Sequence, residues 1–228
     1  MRVLGIETST QVVSVAICEE QRLLGEVSFN AKQEHMQRLI PMIDSILRGC
    51  GMEIADVDAF AVSVGPGSFT SLRVGLATAK AFAHALFKPL VGVPTLDALA
   101  WELRGNADLV CTLLEARRDE VYACFYISTD EGMRRLSDYM AISPLKLAER
   151  LQGDFMSRIT FTGEGALAYW GVLQEKLGER AMLADPIQLW PRAAAVARLG
   201  YLNLVVGSAG DARTVTALYV KPPAIRQK

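Results

Sequence analysis

The sequence predicts an α/β fold built from two similar halves, each a mixed sheet flanked by helices. Short apolar segments typical of strands alternate with segments of helical periodicity, and this order of elements occurs twice along the 228 residues. In each half three strands precede the first helix, which predicts antiparallel pairing among them. Later strands follow helical crossovers and therefore become parallel neighbours.

The first half begins with three apolar segments separated by polar turns. A helix follows because Met36, Leu39, Ile43 and Leu47 recur at helical spacing and Gly49 ends the pattern. The predicted elements are strands at 3–6, 12–18 and 23–29, a helix at 32–48, a strand at 59–64, a helix at about 71–87, a strand at 90–93 and a helix at 95–103.

The same order restarts after the polar segment 104–108, which predicts a domain boundary there. The domains expected are therefore 1–104 and 105–228, with the last helix able to return to the first half. The predicted elements of the second half are strands at 109–114, 121–127 and 139–142, a helix after Ser143-Pro144, a strand at 159–161, a helix from the glycine turn 163–165 to 177, a strand near Met182 and a helix at 192–206.

Composition excludes several classes of function. The net charge of −1 gives no basic footprint for gripping nucleic acid directly. No apolar stretch approaches the length of a membrane span or a signal peptide, so a cytoplasmic location is expected. The four cysteines are widely spaced without a C-x-x-C pair, which disfavours zinc and disulfides.

A glycine-rich loop joins the fourth strand to the second helix. Gly65 and Gly67 would allow close approach of the backbone to a ligand, and Ser68 or Thr70 can cap the helix start. The loop contains no Lys, Asp or Glu, so it lacks the residues of a Walker-type phosphate loop. Two interpretations remain open, namely a loop near a nucleotide and a tight turn that only needs glycine.

Six segments, in order along the chain, carry a resemblance to a known family. The most specific is Gly65-Pro66-Gly67-Ser68-Phe69-Thr70 followed by an apolar helix. The others are Leu4-Gly5-Ile6-Glu7-Thr8-Ser9-Thr10, Glu34-His35 with Gln37-Arg38-Leu39-Ile40-Pro41, Gly92-Val93-Pro94-Thr95-Leu96, Glu115-Ala116-Arg117 with Glu120-Val121-Tyr122, and Tyr219-Val220-Lys221. Together they resemble the TsaB (YeaZ-like) family of the actin, hexokinase and Hsp70 superfamily.

The resemblance implies two actin-like (ribonuclease H-like) halves. It also implies a non-catalytic scaffold or activator subunit that acts in threonylcarbamoyl transfer to the tRNA adenosine beside the anticodon. The implied partners are the catalytic paralogue TsaD and the ATPase TsaE, with homodimerisation through the same helices, no membrane, and tRNA contacted only indirectly. No cofactor is expected to bind tightly, although ATP or ADP could lie at a partner interface.

The chemistry of the catalytic paralogue is missing from this chain. TsaD carries a metal-binding His-x-x-x-His, and the corresponding positions resemble Thr95 and Leu99 here. Neither replaces an imidazole ligand, so no metal and no catalytic residue are expected. The histidines of the chain, His35 and His84, are interpreted as solvated or interfacial.

The candidate nucleotide cleft comprises two segments that the superfamily places near phosphate. Its residues are Glu7, Thr8, Ser9, Gly65, Gly67 and Ser68. Glu7 occupies the position where kinases and ATPases of the superfamily place an Asp, and a role in an N-cap, a turn or an inter-strand contact is at least as compatible with it. The alternative function is an ATP-dependent small-molecule kinase or another nucleotide-using enzyme of the superfamily.

The second helix is apolar on nearly all sides. Gly75, Ala79 and Ala83 form one row of small residues, and Ala77, Ala81 and Ala85 form another. A close helix contact could use either row, so the sequence leaves open which one faces outward. The resemblance makes this helix and the one before it the candidate partner interface, with contacts at Met36, Arg38, Gly75, Ala79 and Lys80.

Overall fold

The computed structural model describes residues 1–31, 34–105, 107, 109–117, 119–154, 157–208 and 210–221. The chain forms two compact units. The first comprises Met1–Ala98 and Pro191–Ala217, and the second comprises Leu99–Trp190 and the described residues after Ala217. Each unit contains one mixed sheet with helices packed against it.

The sheet of the first unit has the strand order β3-β2-β1-β4-β5. The first three strands pair antiparallel, whereas β4 and β5 join β1 in parallel. The elements up to the boundary are β1 (Arg2–Glu7), β2 (Val12–Glu19), β3 (Arg22–Asn30), α1 (His35–Gly49), β4 (Ala59–Gly65), α2 (Phe69–Ala85), β5 (Leu90–Pro94) and α3 (Thr95–Trp101).

Strands β1 and β4 lie at the centre of this sheet, and their side chains are buried on both faces. This explains why their sequences are apolar almost throughout instead of alternating. The parallel register pairs Ile6 of β1 with Val62 of β4, and Gly65 of β4 with Pro94 of β5. The carboxyl ends of three neighbouring strands therefore meet at one edge of the sheet.

The last helix, α7 (Ala193–Val205), packs on the first sheet. It approaches β1 and β4 closely because small residues meet at both crossings. A Cβ atom at Gly5 would lie 2.4 Å from the Ala193 carbonyl oxygen, and one at Gly200 would lie 2.4 Å from the Ala61 Cβ. Arg192, which precedes the helix, also pairs with the largely buried Glu26 of β3.

The sheet of the second unit has the order β11-β10-β6-β7-β8, with β9 also paired to β7. Its core is formed by apolar residues of β6, β7 and β10 together with the helices that cover them. The elements are β6 (Leu109–Glu115), β7 (Val121–Thr129), β8 (Gly132–Arg135), β9 (Met140–Ile142), α4 (Pro144–Asp154), β10 (Ile159–Thr162), α5 (Glu164–Ala168), α6 (Trp170–Leu177) and β11 (Ala181–Leu183).

The predicted fold class is confirmed, including the mixed sheets and the repeated order of elements. One strand was missed, and one local expectation was wrong. Strand β8 was not predicted, because its polar sequence lacks the alternation of a half-buried strand. The single helix expected after Gly165 is divided at Tyr169 into α5 and α6, just before Gly171, which is a weak helix former.

Two predicted segments extend beyond what the structure describes. Positions 32 and 33 of the first predicted helix and positions 222–228 of the second predicted domain lie outside the described residues. Within the described part, no helix combines the length and the apolar character that crossing a bilayer requires.

Candidate functional site

A buried polar turn follows β1 at the edge where the strands β1, β4 and β5 end. Glu7, Thr8, Ser9 and Thr10 are all buried, although each carries a polar side chain. Oxygen Oε1 of Glu7 accepts a hydrogen bond from the Ser9 backbone N–H at 2.5 Å. The Thr8 backbone N–H donates to the Ser63 hydroxyl of β4 at 3.3 Å. The turn is therefore attached to the sheet through the buried side chains of Glu7 and Ser63.

Glu7 is the most strongly perturbed acid in this turn. Burial raises its pKa from 4.5 to about 7, and hydrogen bonds from Ser9, Ser63 and Thr8 oppose that rise. Among the described residues, its Oε2 has no hydrogen-bond partner. Burial therefore favours the protonated form of this carboxyl group more than it would for an exposed glutamate.

The glycine loop lies directly against this turn. A Cβ atom at Gly67 would lie 2.3 Å from the Ser9 carbonyl oxygen, and the Ser68 backbone N–H donates to the same oxygen at 2.7 Å. The space that Gly67 leaves open is thus filled by Ser9 of the same chain. Ser68 is exposed at the start of α2, and its hydroxyl lies 3.0 Å from that of Ser71.

Gly67→Ala is expected to destabilise the first unit by about 1–3 kcal/mol, because the added methyl group meets a backbone carbonyl that cannot move alone. Gly49→Ala is the matched control. Gly49 ends α1 with nothing within 4 Å of its Cβ position, so the same change should be neutral or slightly stabilising. Urea unfolding of both variants measures the difference, and equal stabilities would refute the close contact at Gly67.

The structure separates the two rows of small residues on α2. Gly75 and Ala79 are buried, and a Cβ atom at Gly75 would lie 2.3 Å from the Thr8 hydroxyl oxygen. These two predicted partner contacts therefore pack inside the chain, because their row faces its own sheet and turn. The opposite row, represented by Ala77 and Ala81, is exposed.

Helix α1 exposes two large apolar side chains to solvent. Met36 is 73% exposed and Ile40 is 50% exposed, whereas Leu39, Ile43 and Leu47 are buried. Helices α1 and α2 pack against each other. We define the α1–α2 face as Met36 and Ile40 of α1 with Ala77 and Ala81 of α2.

Two further predicted contacts lie on the same two helices. Arg38 is exposed and forms an ion pair with Glu34 at 2.5 Å, one helical turn earlier. Lys80 is half-buried on α2. Arg38 and Lys80 stay predictions of partner contacts, together with Met36.

The two residues at the positions that correspond to the metal ligands of the paralogue are buried. Thr95 and Leu99 lie on α3 with no exposed surface, and the Thr95 hydroxyl has no partner among the described residues. Nor do the described residues bring together three His, Cys, Asp or Glu side chains in a way that could hold a metal ion. Asp58 does not approach Glu7, because it accepts a hydrogen bond from the Arg2 backbone N–H at the opposite end of β1.

His35 differs from its sequence-based interpretation. It is only 3% exposed, and its Nε2 lies 2.8 Å from the Thr10 carbonyl oxygen, so it is a buried contact between α1 and the turn. Sequence reasoning also missed Ser63. The available signal was a lone hydroxyl within the otherwise apolar strand β4. His84 is exposed on α2, as expected for a solvated or interfacial side chain.

The second unit repeats the strand–glycine–helix arrangement. Gly163 has a φ of +101°, and a Cβ atom there would lie 2.0 Å from the Leu113 carbonyl oxygen. Burial raises the pKa of Glu164 to about 6, and the neighbouring Glu115 carboxylate adds to the rise. As in the first unit, the glycine is required by contact with the chain itself.

Comparison with known proteins places the chain in a family. The family model for TsaD, tRNA N6-adenosine threonylcarbamoyltransferase, matches residues 15–203. The TsaB biosynthesis protein of Haemophilus influenzae is 30% identical, covering 100% of this chain and 94% of the relative. The TsaB protein of Escherichia coli is 34% identical over 67% of both chains.

Solved structures agree with these relationships. YeaZ from Pseudomonas aeruginosa superposes with a TM-score of 0.83 at 28% identity, covering 96% of this chain and 99% of that one. The ROK hexokinase of Thermus thermophilus has a TM-score of 0.56 at 13% identity over 90% of this chain and 100% of its own, which shows a shared fold alone. The chain therefore belongs to the TsaB (YeaZ-like) family and has its actin-like fold.

Proposed function

We propose that this chain is a non-catalytic scaffold subunit in the biosynthesis of threonylcarbamoyladenosine in tRNA. In this proposal it pairs with the catalytic subunit TsaD through the α1–α2 face and assembles with the ATPase TsaE. Relatives named as TsaB biosynthesis proteins support the pathway. The α1–α2 face supports the mode of action.

The observation that carries the proposal is the combination of exposed apolar and small residues on two neighbouring helices. Met36 and Ile40 expose large apolar side chains, and Ala77 and Ala81 leave room for another helix to approach the α2 backbone. Exposed apolar side chains on neighbouring helices favour a protein partner. A second copy of this chain could use the same face when TsaD is absent.

The residues at the metal-binding positions of the paralogue support a non-catalytic role. Thr95 offers a buried hydroxyl and Leu99 a buried alkyl group, and neither is an imidazole. The Ser68 hydroxyl at the start of α2 contacts the Ser71 hydroxyl, and among the described residues no hydrogen bond joins it to a histidine. The transfer chemistry is therefore assigned to the partner.

We expect the chain alone to bind nucleotide weakly at most. Glu7, Thr8 and Ser9 are buried, and Ser9 fills the space beside Gly67. We therefore expect no tightly bound cofactor, and we place any ATP or ADP at the partner interface. With a net charge of −1, the chain would contact tRNA only indirectly.

Reconstitution tests the proposal. The purified chain is mixed with TsaD and TsaE, co-elution is measured by gel filtration, and threonylcarbamoyladenosine formation is measured on tRNA. We expect a complex and a strict requirement for this chain. Equal tRNA modification in its absence would refute the proposal, and phosphoryl transfer by the chain alone that Glu7→Gln abolishes would favour the kinase alternative.

Ala77→Glu is expected to weaken TsaD binding by at least about tenfold, because it places a charge within a close helix contact. The protein should remain folded, since Ala77 is exposed. Ala55→Glu is the matched control, as Ala55 is an exposed alanine outside both helices. Isothermal titration with TsaD provides the measurement. Wild-type affinity for a folded Ala77→Glu protein would remove Ala77 from the interface.

A further inference from the structure

The turn at residues 8–10 is held from inside the first unit. Glu7 accepts a hydrogen bond from the Ser9 N–H at 2.5 Å, and the Ser63 hydroxyl accepts one from the Thr8 N–H at 3.3 Å. The Thr10 hydroxyl in turn accepts a bond from the Val12 N–H at 3.2 Å. Each of these groups is buried, so water does not compete for the bonds.

The same turn contacts α2 at two separate places. At the start of the helix, the Ser68 N–H donates to the Ser9 carbonyl at 2.7 Å. Two helical turns later, Gly75 leaves only enough room for the Thr8 side chain, whose hydroxyl oxygen would lie 2.3 Å from an added Cβ. Two contacts along one helix fix its direction as well as its position.

The turn also contacts the start of α1. His35, the first residue of that helix, lies with its Nε2 2.8 Å from the Thr10 carbonyl oxygen. Next to the turn, the Ala31 N–H donates to the Gln11 carbonyl at 3.0 Å. Thr8 and Ser9 therefore contact α2, and the next residue, Thr10, contacts α1.

We propose that the 8–10 turn is the common anchor of α1 and α2, and that Glu7 is a positioning residue that holds this anchor through Ser9. The inference rests on the proposed function, in which the α1–α2 face binds the partner. It assigns to Glu7 the task of aligning an interface.

The arrangement explains the unusual polarity of the turn. An apolar residue at position 7 would leave the buried Ser9 N–H without its acceptor, which is unfavourable for a backbone donor inside a protein. The turn would then lose one of its attachments to β1. Because Ser9 and Thr8 contact α2 and Thr10 contacts α1, both helices would become less firmly held together.

Hydrogen exchange of the isolated chain tests this inference. Glu7→Leu removes the acceptor while keeping a side chain of similar size, and Glu7→Gln keeps an acceptor. At pH 5, where wild type and Glu7→Gln should be about equally stable, we expect Glu7→Leu to lower the protection of amides in α1 and in the first half of α2 by about tenfold. Glu7→Gln should stay within about twofold of wild type at that pH.

Helix α7 is the internal control, because it packs on β1 in the same unit without contacting residues 8–10 through any described hydrogen bond. Thr95→Val is the control variant, since it removes a buried hydroxyl that has no hydrogen-bond partner among the described residues. Glu7→Leu and Thr95→Val should both leave the protection of amides in α7 unchanged. An equal loss of protection in α7 after Glu7→Leu, or an equal effect of Gln and Leu, would overturn the proposal.

A second variant decides the matter if Glu7→Leu does not fold. His35→Leu removes the α1 contact with Thr10, and we expect reduced protection around Leu72–Gly75 of α2 as well as in α1. A change confined to α1 would overturn the common anchor. TsaD binding is measured separately, so a wild-type chain that fails to bind TsaD would refute the proposed function and leave the exchange result standing.

Discussion

Ala79→Glu is expected to unfold the first unit, with a loss of more than about 4 kcal/mol of stability. Ala79 has no exposed surface, and α2 packs on β4 and β1. A carboxylate at this position would have to lose its hydration between the helix and its sheet. Circular dichroism and urea unfolding measure the loss.

Ala77→Glu is the matched control for this prediction. It introduces the same side chain two residues earlier on the same helix, at an exposed position. Its effect on stability should stay below about 1 kcal/mol, because Glu is a good helix former and surface changes are usually small. Comparable unfolding of both variants would mean that the buried and exposed rows of α2 are wrongly assigned.

Glu7→Gln is expected to reduce the pH dependence of the free energy of unfolding, which is the second large effect. Burial raises the folded-state pKa of Glu7 from 4.5 to about 7. The folded chain therefore holds this proton more tightly than the unfolded chain. The contribution of Glu7 to the free energy of unfolding is fully present below pH 4.5. It declines as the pH rises and is lost above pH 7.

The expected contribution is about 2–3 kcal/mol between pH 5 and pH 8. Urea unfolding of wild type and Glu7→Gln across this range isolates it, because other titrating groups, including Glu164, are common to both proteins. We expect similar stabilities at pH 5 and a more stable variant at pH 8. Parallel curves of unfolding free energy against pH for the two proteins would contradict the raised pKa of Glu7.

Much of the fold was predictable because it depends on local patterns. Apolar runs with turn residues between them indicated most strands, and helical spacing indicated α1. The failures share a cause. Strand β8 is polar, and α5 and α6 are short, so tertiary pairing and packing decide them where periodicity gives no signal.

The candidate site was less predictable. Glu7, Thr8 and Ser9 were selected with Gly67, and the structure brings these residues together. Sequence alone assigned the glycine to ligand approach, whereas its neighbour is the Ser9 carbonyl of the same chain. Such a contact joins segments almost sixty residues apart, and neither segment's local pattern contains it.

By itself, the sequence determined the duplicated α/β architecture and its family segments, and it placed two rows of small residues on α2. Only the tertiary structure decided that Gly75 and Ala79 face inward and that Ala77 and Ala81 face outward. The physical reason is that both rows have nearly the same hydropathy. Contacts with β4 and the Thr8 side chain select the buried row, and those contacts exist only after the sheet has formed.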